Sequence, residues 1–437
     1  MNGKGTLVYR SFTASDELKG EIRMGRRISV LLLAVLLLAG CSEGGSPMSY
    51  SERQAAAAGL DSGLAERSNR LGAKLFGQLW KQGGGNLSVS PYSVAAALAL
   101  AYNGSAGETA EELGTLLGYA PEERQKLNAA HQALLQLLTD GGPGVQLKIA
   151  NSVWGMKGLP LRKDYLKTGK DFYNAEIKTT DLTARKSVTQ INDWVSEHTE
   201  HRINEMLTEP PGQRAVAVLV NALYFKGGWS DIFPEEATEP ADFYPPDGTA
   251  VQAVMMKRSG YFQYAENEDW QAVKLPYGEG QMEMLVVLPG EDSSLQELAD
   301  QLAAGKLPLL DDGFASTQGT LRLPRFTASY GTELADALQA LGVKRAFDPD
   351  LGDFSLLADL GLPVYFSKVI HKTYIDVNER GTEAAASTVI EMLAGSAPPA
   401  DTPFEMTVNR PFLFMIRDVQ TRVVLFLGAI ENPLNTD

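Results

Sequence analysis

Four histidines and a single cysteine carry most of the reactive potential of this 437-residue chain, and their settings limit what chemistry they can do. His198 and His201 flank Thr199-Glu200 and read as an exposed helix end rather than a metal pair. His131 sits in a Leu-rich helical stretch as a structural residue. His371 lies in a polar-apolar alternation from Val364 to Val377, a strand pattern, where a hydrogen-bonded core histidine fits better than a general base without a partnered nucleophile. The chain contains no G-x-x-x-x-G-K-[ST], G-x-G-x-x-G, G-x-S-x-G or H-E-x-x-H, so phosphate cradle, dinucleotide site, nucleophile elbow and zincin helix all lack their sequence requirement. Cys41 alone can form neither an intramolecular disulfide nor a thiolate cluster. No enzyme, cofactor or metal site is indicated. A formal charge of −15 argues against nucleic acid as a partner.

The elements that must position these residues follow from periodicity. Leu71, Leu75 and Leu79 recur every four residues and predict an amphipathic helix ended by Gly83-Gly84-Gly85. Ser90-Pro91 supplies an N-cap and a first-turn proline for an Ala/Leu-rich helix to Tyr102, apolar on most faces and hence central. Thr109 with Glu112, and Ser187 with Gln190, read as capping boxes of two further helices. Runs dense in Val, Leu and Phe predict strands at Ala215–Phe225, Met282–Leu288, Leu321–Phe326, Phe412–Arg417 and Val423–Ile430, so sheet dominates after residue 210. No repeat period or Pro/Gly/Ser linker divides residues 64 to 432, which predicts one large α+β domain.

The amino terminus reads differently. From Met24, the expected true start, Met-Gly-Arg-Arg precedes a twelve-residue apolar run from Ile28 to Ala39, too short for a comfortable membrane span of about 20 residues. This is a secretory signal, and its end, Leu38-Ala39-Gly40-Cys41, resembles the lipobox of bacterial lipoproteins, in which the cysteine is lipidated. Loss of residues 1–40 removes six cations and three anions and takes the formal charge to −18. Residues 41–63, rich in Ser, Gly, Glu and Ala, read as a flexible tether to a domain over 64–437. The protein is thus expected outside the cytoplasm, lipid-anchored to a bacterial membrane.

The segment after Val377 is compositionally odd. Read at period two, Thr382, Ala384, Ala386, Thr388 and Ile390 form one compact uncharged face, and Glu383, Ser387 and Glu391 lie opposite. Such a strand could enter a sheet. Glu and Ala also favour helix, and propensity alone does not decide.

Resemblance decides it. Glu379 to Thr388 resembles the reactive-centre-loop hinge of the serpin family. Asn86-Leu87-Ser88-Val89-Ser90-Pro91-Tyr92-Ser93, Gly104 to Leu117, Val220-Asn221-Ala222-Leu223-Tyr224-Phe225-Lys226-Gly227-Gly228-Trp229, Leu321-Arg322-Leu323-Pro324-Arg325-Phe326, His371-Lys372 and Asn409-Arg410-Pro411-Phe412 resemble serpin motifs in serpin order, over residues 64 to 433. The resemblance implies three β-sheets, about nine helices and an exposed loop over about 379–408. It also implies suicide inhibition of serine, or cysteine, proteases by a monomer.

Family counting sets the scissile bond at Gly395-Ser396, with Met392, Leu393 and Ala394 as neighbours. The stretch from Ser396 to Asn409, with Pro398, Pro399 and Pro403, is longer than the family pattern and leaves the bond a few positions of freedom. No Lys or Arg occurs between Gly381 and Val408, so elastase-like or subtilisin-like targets fit better than trypsin-like ones. Glu379, Gly381, Thr382, Glu383, Ala384, Ala385, Ala386 and Thr388 form the implied hinge. Ser90, Ser93, Asn221 and His371 resemble the polar cluster beneath the opening sheet, Trp229 the aromatic at the entry point, and Arg325 with Glu379 an ion pair at the sheet top. The alternatives are a non-inhibitory serpin-fold binding or surface module, whose hinge would carry bulky residues, charges or proline, and an enzyme on this scaffold, for which no motif speaks.

Overall fold

Pro91–Gly104 is the element around which the rest is arranged. Ser90 Oγ accepts the Ser93 N–H and Pro91 occupies the first turn, so the helix start is fixed locally. Every residue of the helix except Asn103 is buried, because it lies between two sheets.

The computed structural model describes residues 1, 48–140, 142–306, 313–382 and 403–435. In chain order the elements are α1 (Tyr50–Ala58), α2 (Ser62–Trp80), β1 (Leu87–Val89), α3 (Pro91–Gly104), α4 (Gly107–Leu117), α5 (Arg124–Thr139), β2 (Val145–Met156), α6 (Lys163–Tyr173), β3 (Glu176–Thr180), α7 (Arg185–His198), β4 (Ala217–Gly228), β5 (Glu239–Phe243), β6 (Val251–Glu266) and β7 (Trp270–Tyr277). They continue with β8 (Met282–Pro289), α8 (Leu295–Ala303), β9 (Ala315–Pro324), β10 (Phe326–Glu333), α9 (Ala335–Ala340), β11 (Phe366–Asn378), β12 (Gly381–Thr382), β13 (Phe404–Thr407), β14 (Phe412–Asp418) and β15 (Val424–Ile430). The α+β class stands, with nine α-helices among the described residues.

Hydrogen bonding joins the strands into a six-stranded sheet, ordered β10-β11-β12-β4-β2-β3, and a nine-stranded one, ordered β1-β15-β14-β8-β7-β6-β9-β13 with β5 on β6. The nine-stranded sheet contains two of the three sheets expected. β6 is long enough to serve both, pairing β5 and β9 along most of its length and β7 only over Gln263–Glu266. α3 packs on β4 of one sheet and β15 of the other.

Several expectations need correcting. Leu321–Phe326 is not one strand: β9 ends at Pro324, which cannot donate to a ladder, Arg325 N–H turns aside to Val254 O, and Phe326 opens β10 in the other sheet. The capping boxes at Thr109 and Ser187 do not form, because α4 and α7 begin two residues earlier. Thr109 is buried inside α4 and accepts from Asp353 N–H, and Ser187 donates to Ala184 O. β2 and β3 precede residue 210, and β6 and β7 went unassigned because polar residues on their wet faces dilute the apolar pattern.

Nor is the chain before residue 63 a featureless tether. α1 is opened by a Ser49/Glu52 capping box, and its Arg53 is fully buried. The guanidinium donates to the Leu137 and Asp140 carbonyls and forms an ion pair with buried Asp418, whose other oxygen accepts from Thr421. Removing one partner of such a pair strands the other charge in a dry site, at a cost of about 3–5 kcal/mol. Arg53→Met should therefore lower unfolding free energy by about that amount in urea titration. A loss no larger than for exposed Arg70→Met would show that α1 is not docked.

Candidate functional site

β4 and β11 run parallel and in contact from Ala217↔Phe366 to Tyr224↔Tyr374, with one irregularity near Ser367. Above that ladder they part, and the two residues of β12 fill the gap. Gly381 and Thr382 pair antiparallel with Gly228 and Gly227 of β4 on one side, and with Asn378 and Val377 of β11 on the other. The chain reaches the slot through a tight reversal in which Arg380 N–H donates to Asn378 Oδ1 at 3.0 Å. Gly381 has φ of 137°, and a Cβ there would meet Gly227 O at 2.1 Å, so only glycine fits.

The mouth of this slot is aromatic and polar. Trp229 donates its backbone N–H to Arg380 O and its indole N–H to Asn378 O, each at 2.9 Å, and stacks on Tyr277 with ring centroids 4.3 Å apart. Thr382 is fully buried with its hydroxyl 2.7 Å from that of Tyr277, whose phenol burial pushes far above its ordinary range. Glu379 Oε1 accepts from Arg325 Nε at 2.8 Å, Arg325 Nη2 at 2.6 Å and Thr238 Oγ1 at 2.7 Å. Burial alone would raise the Glu379 carboxyl, but the bonds from Arg325 and Thr238 outweigh it and hold it below the usual carboxylate range. Phe233 N–H donates to Glu379 O, which ties the same residue down by its backbone.

Lower in the same sheet, register brings Asn151 of β2, Asn221 of β4 and His371 of β11 side by side. All three are buried, facing α3. Asn221 Nδ2 donates to Asn151 Oδ1 at 2.6 Å and to Ser93 Oγ at 2.5 Å, while its Oδ1 accepts from His371 Nδ1 at 2.6 Å. His371 Nε2 accepts from Ser90 N–H at 3.0 Å, an arrangement that requires the neutral ring protonated on Nδ1. Burial lowers the His371 pKa to about 3. The same α3 N-terminus that starts the helix thus also holds the histidine. This constellation offers no nucleophile to a substrate. It offers a strand-shaped slot, begun at the top and closed below by a ladder with a polar row across it.

A sequence model described as Serpin (serine protease inhibitor) matches residues 66–433. The chain belongs to the serpin family. It is 34% identical over 351 residues to an uncharacterized serpin-like protein of Thermococcus kodakarensis, covering 80% of this chain and 81% of that one. It is 32% identical to human Serpin B4, covering 85% and 99%. Among solved structures it resembles Serpin48 of the insect Tenebrio molitor, described as highly specific, with TM-score 0.75, 27% identity and coverage of 86% and 99%.

In this serpin the residues singled out from sequence fall into two groups. Trp229, Arg325, Glu379, Gly381 and Thr382 surround the slot, and Ser90, Ser93, Asn221 and His371 form the buried row. Glu383, Ala384, Ala385, Ala386, Thr388, Met392, Leu393, Ala394, Gly395, Ser396 and Cys41 lie outside the described residues. Sequence reading missed Asn151, because β2 was not recognised as a strand, and Tyr277, because Pro276-Tyr277-Gly278 looks like a turn. Thr238 gives no local signal at all. His198 and His201 have separate partners: His198 stacks on Trp194, with Nδ1 2.7 Å from Trp194 O, and His201 Nδ1 is 3.0 Å from Ser196 Oγ. His131 is buried between Tyr92 and Tyr173, its pKa lowered by burial to about 3.

A histidine held neutral below its free value near 6.5 binds its extra proton only when unfolded or exposed. The stabilisation is therefore complete above pH 6.5 and lost as the pH falls from there toward 3. One such group corresponds to about 1.5 kcal/mol between pH 6.5 and 5. His131 contributes in the same direction, so the difference between wild type and His371→Gln isolates His371. The wild type should lose about 1.5 kcal/mol more than the variant over that interval in urea unfolding, and parallel curves would show His371 already solvated in the native state.

Proposed function

We propose that this serpin is a monomeric suicide-substrate inhibitor of serine proteases with small or apolar specificity pockets, elastase-like or subtilisin-like in type. The target's serine oxygen attacks the carbonyl at or near Gly395, the amine of Ser396 departs, and an ester joins enzyme and inhibitor. Before water hydrolyses that ester, the freed segment extends β12 between β4 and β11 and drags the protease with it.

The observation that carries this reading is the two-residue strand β12, which starts the slot with glycine at the one position where glycine alone fits. Extending it exchanges one parallel interface for two antiparallel ones, adding backbone hydrogen bonds and burying a compact face. The two registers agree. Continued downward, both set Thr388 opposite Asn221 and His371, so the hydroxyl enters where the bond between those two side chains must break, able to donate and accept. Ala384 and Ala386 on the same face are small enough to slide past the Ala-rich α3.

Mixing with an elastase-like or subtilisin-like protease should give a complex that survives boiling in detergent and release a peptide beginning at or near Ser396. Thr382→Arg sets a charge against Tyr277 in a dry slot, which costs several kcal/mol, so the variant should be cut as a substrate with little trapped enzyme. Cleavage of the wild type without trapping across a protease panel would favour the non-inhibitory alternative.

The reading extends to location, on the outer side of a bacterial membrane through lipid on Cys41, supported by the basic, apolar and Leu-Ala-Gly-Cys sequence before it. Cys41→Ala should move the protein from the membrane to the soluble fraction, and retention without lipid mass on the wild-type amino terminus would refute it.

A further inference from the structure

The loop that leads into β11 turns four leucines to solvent. Leu351, Leu356, Leu360 and Leu362 are 50%, 40%, 37% and 74% exposed, and Leu351, Leu360 and Leu362 line one shallow groove with Val364. The exposure is not looseness. Phe354 and Leu357 of the same loop are fully buried, Phe354 packs edge-on against Phe366 at 4.7 Å, and the Leu356 and Leu357 N–H groups donate to Gly104 O. A bridge between Leu161 and Ala358, and the Arg162 N–H donating to Leu357 O, tie the loop to the start of α6 as well. The pinned backbone holds this apolar surface open to water, which is the arrangement of a docking site and not of a frayed connection.

The charge around the groove says what it accepts. Four aspartates and no lysine or arginine lie between Arg345 and Lys368. Two of the four serve the loop's own turns: Asp348 Oδ1 accepts from the Asp350 and Leu351 N–H groups, and Asp353 Oδ1 from Ser355 N–H. Asp350 and Asp359 stand exposed in the groove lining. The nearest cation is Arg162, 3.2 Å from Asp359 in a pair open to solvent on both sides, and such a pair contributes little and exchanges readily. An apolar floor with an acidic rim disfavours anionic lipid, and it disfavours a second copy of this chain, whose formal charge is −15. It matches a segment with apolar side chains set between lysines or arginines, the apolar ones covering the leucines and the cations reaching Asp350 and Asp359.

We propose that the Leu351/Leu360/Leu362 groove binds a basic amphipathic segment of another protein. The groove lies at the start of β11, whereas Gly381 and Thr382 pair with its end, so a bound partner leaves the slot free. The proposal therefore stands whether or not the chain traps proteases.

Fluorescence anisotropy of a labelled helical peptide of leucine and lysine, with leucine at i, i+3, i+4 and i+7, reads the site directly. Its dissociation constant should rise tenfold or more in the triple variant Leu351→Ser, Leu360→Ser, Leu362→Ser, and likewise in Asp350→Asn with Asp359→Asn. Added salt should weaken binding to wild type more steeply than to the aspartate variant. The five altered side chains are exposed, so both variants should unfold at the wild-type midpoint. A peptide with glutamate in place of lysine should not bind. Absence of binding to wild type, equal affinity for the leucine variant, or binding of the glutamate peptide would each overturn the proposal. Concentration-dependent dimerisation of the wild type, abolished in the leucine variant, would assign the groove to a second copy instead. Binding to phosphatidylglycerol vesicles, lost in the same variant, would assign it to a membrane.

Discussion

One interface governs this molecule: the parallel pairing of β4 with β11. It is the only parallel contact at the centre of the six-stranded sheet among the described residues, and it separates at its upper end to admit Gly381 and Thr382. Parallel ladders are slightly weaker per residue than antiparallel ones, so a third strand running against both neighbours has a better partner arrangement to offer each of them. On the proposed inhibitory mechanism, the interface must hold when no such strand is present and yield when one is. The surrounding residues can be understood as meeting one or other of those demands.

Holding falls to the polar row. Asn151, Asn221, His371 and Ser90 satisfy one another in a buried site, where each bond is strong because its loss leaves a buried group unpaired. The neutral histidine matters, since a protonated ring would turn Nε2 into a donor facing the Ser90 N–H. Yielding falls to the top of the sheet, where the Glu379 and Arg325 pair is half open to solvent on the Arg325 side and Trp229 holds the turn by its backbone neighbours. The Arg53 and Asp418 pair is of another kind, fully enclosed and made by residues outside the slot. It fastens α1, which precedes the family-matched residues, and its dry setting makes it an anchor with low tolerance for change.

Much of the helical framework was legible in order and type. Ser90-Pro91 announced α3, and Leu71, Leu75 and Leu79 announced α2, because caps and a 3.6-residue period are local properties. Local reading failed where partners lie far away. Thr109 and Ser187 have the composition of capping boxes, but α4 and α7 start two residues earlier and Thr109 is engaged by Asp353 from far along the chain, while nothing near Arg53 marks it for burial because Asp418 is hundreds of residues downstream. β6 and β7 alternate between a buried and a wet face, so their apolar density never rose to that of β8, β14 and β15, which are buried almost throughout.

For the site itself, the sequence alone determined the residue types: small and uncharged along one face after Val377, glycine at 381, and an asparagine and a histidine in separate apolar runs. Those are local constraints, and resemblance gave them a family. Tertiary structure alone decided that Asn151, Asn221 and His371 stand in one row, that Tyr277 and Thr238 meet the hinge, and that the registers on either side of Thr382 agree. Strand register and sheet order arise from packing between segments far apart in the chain, and a pattern of period two fixes which face a residue takes but not which strand lies beside it.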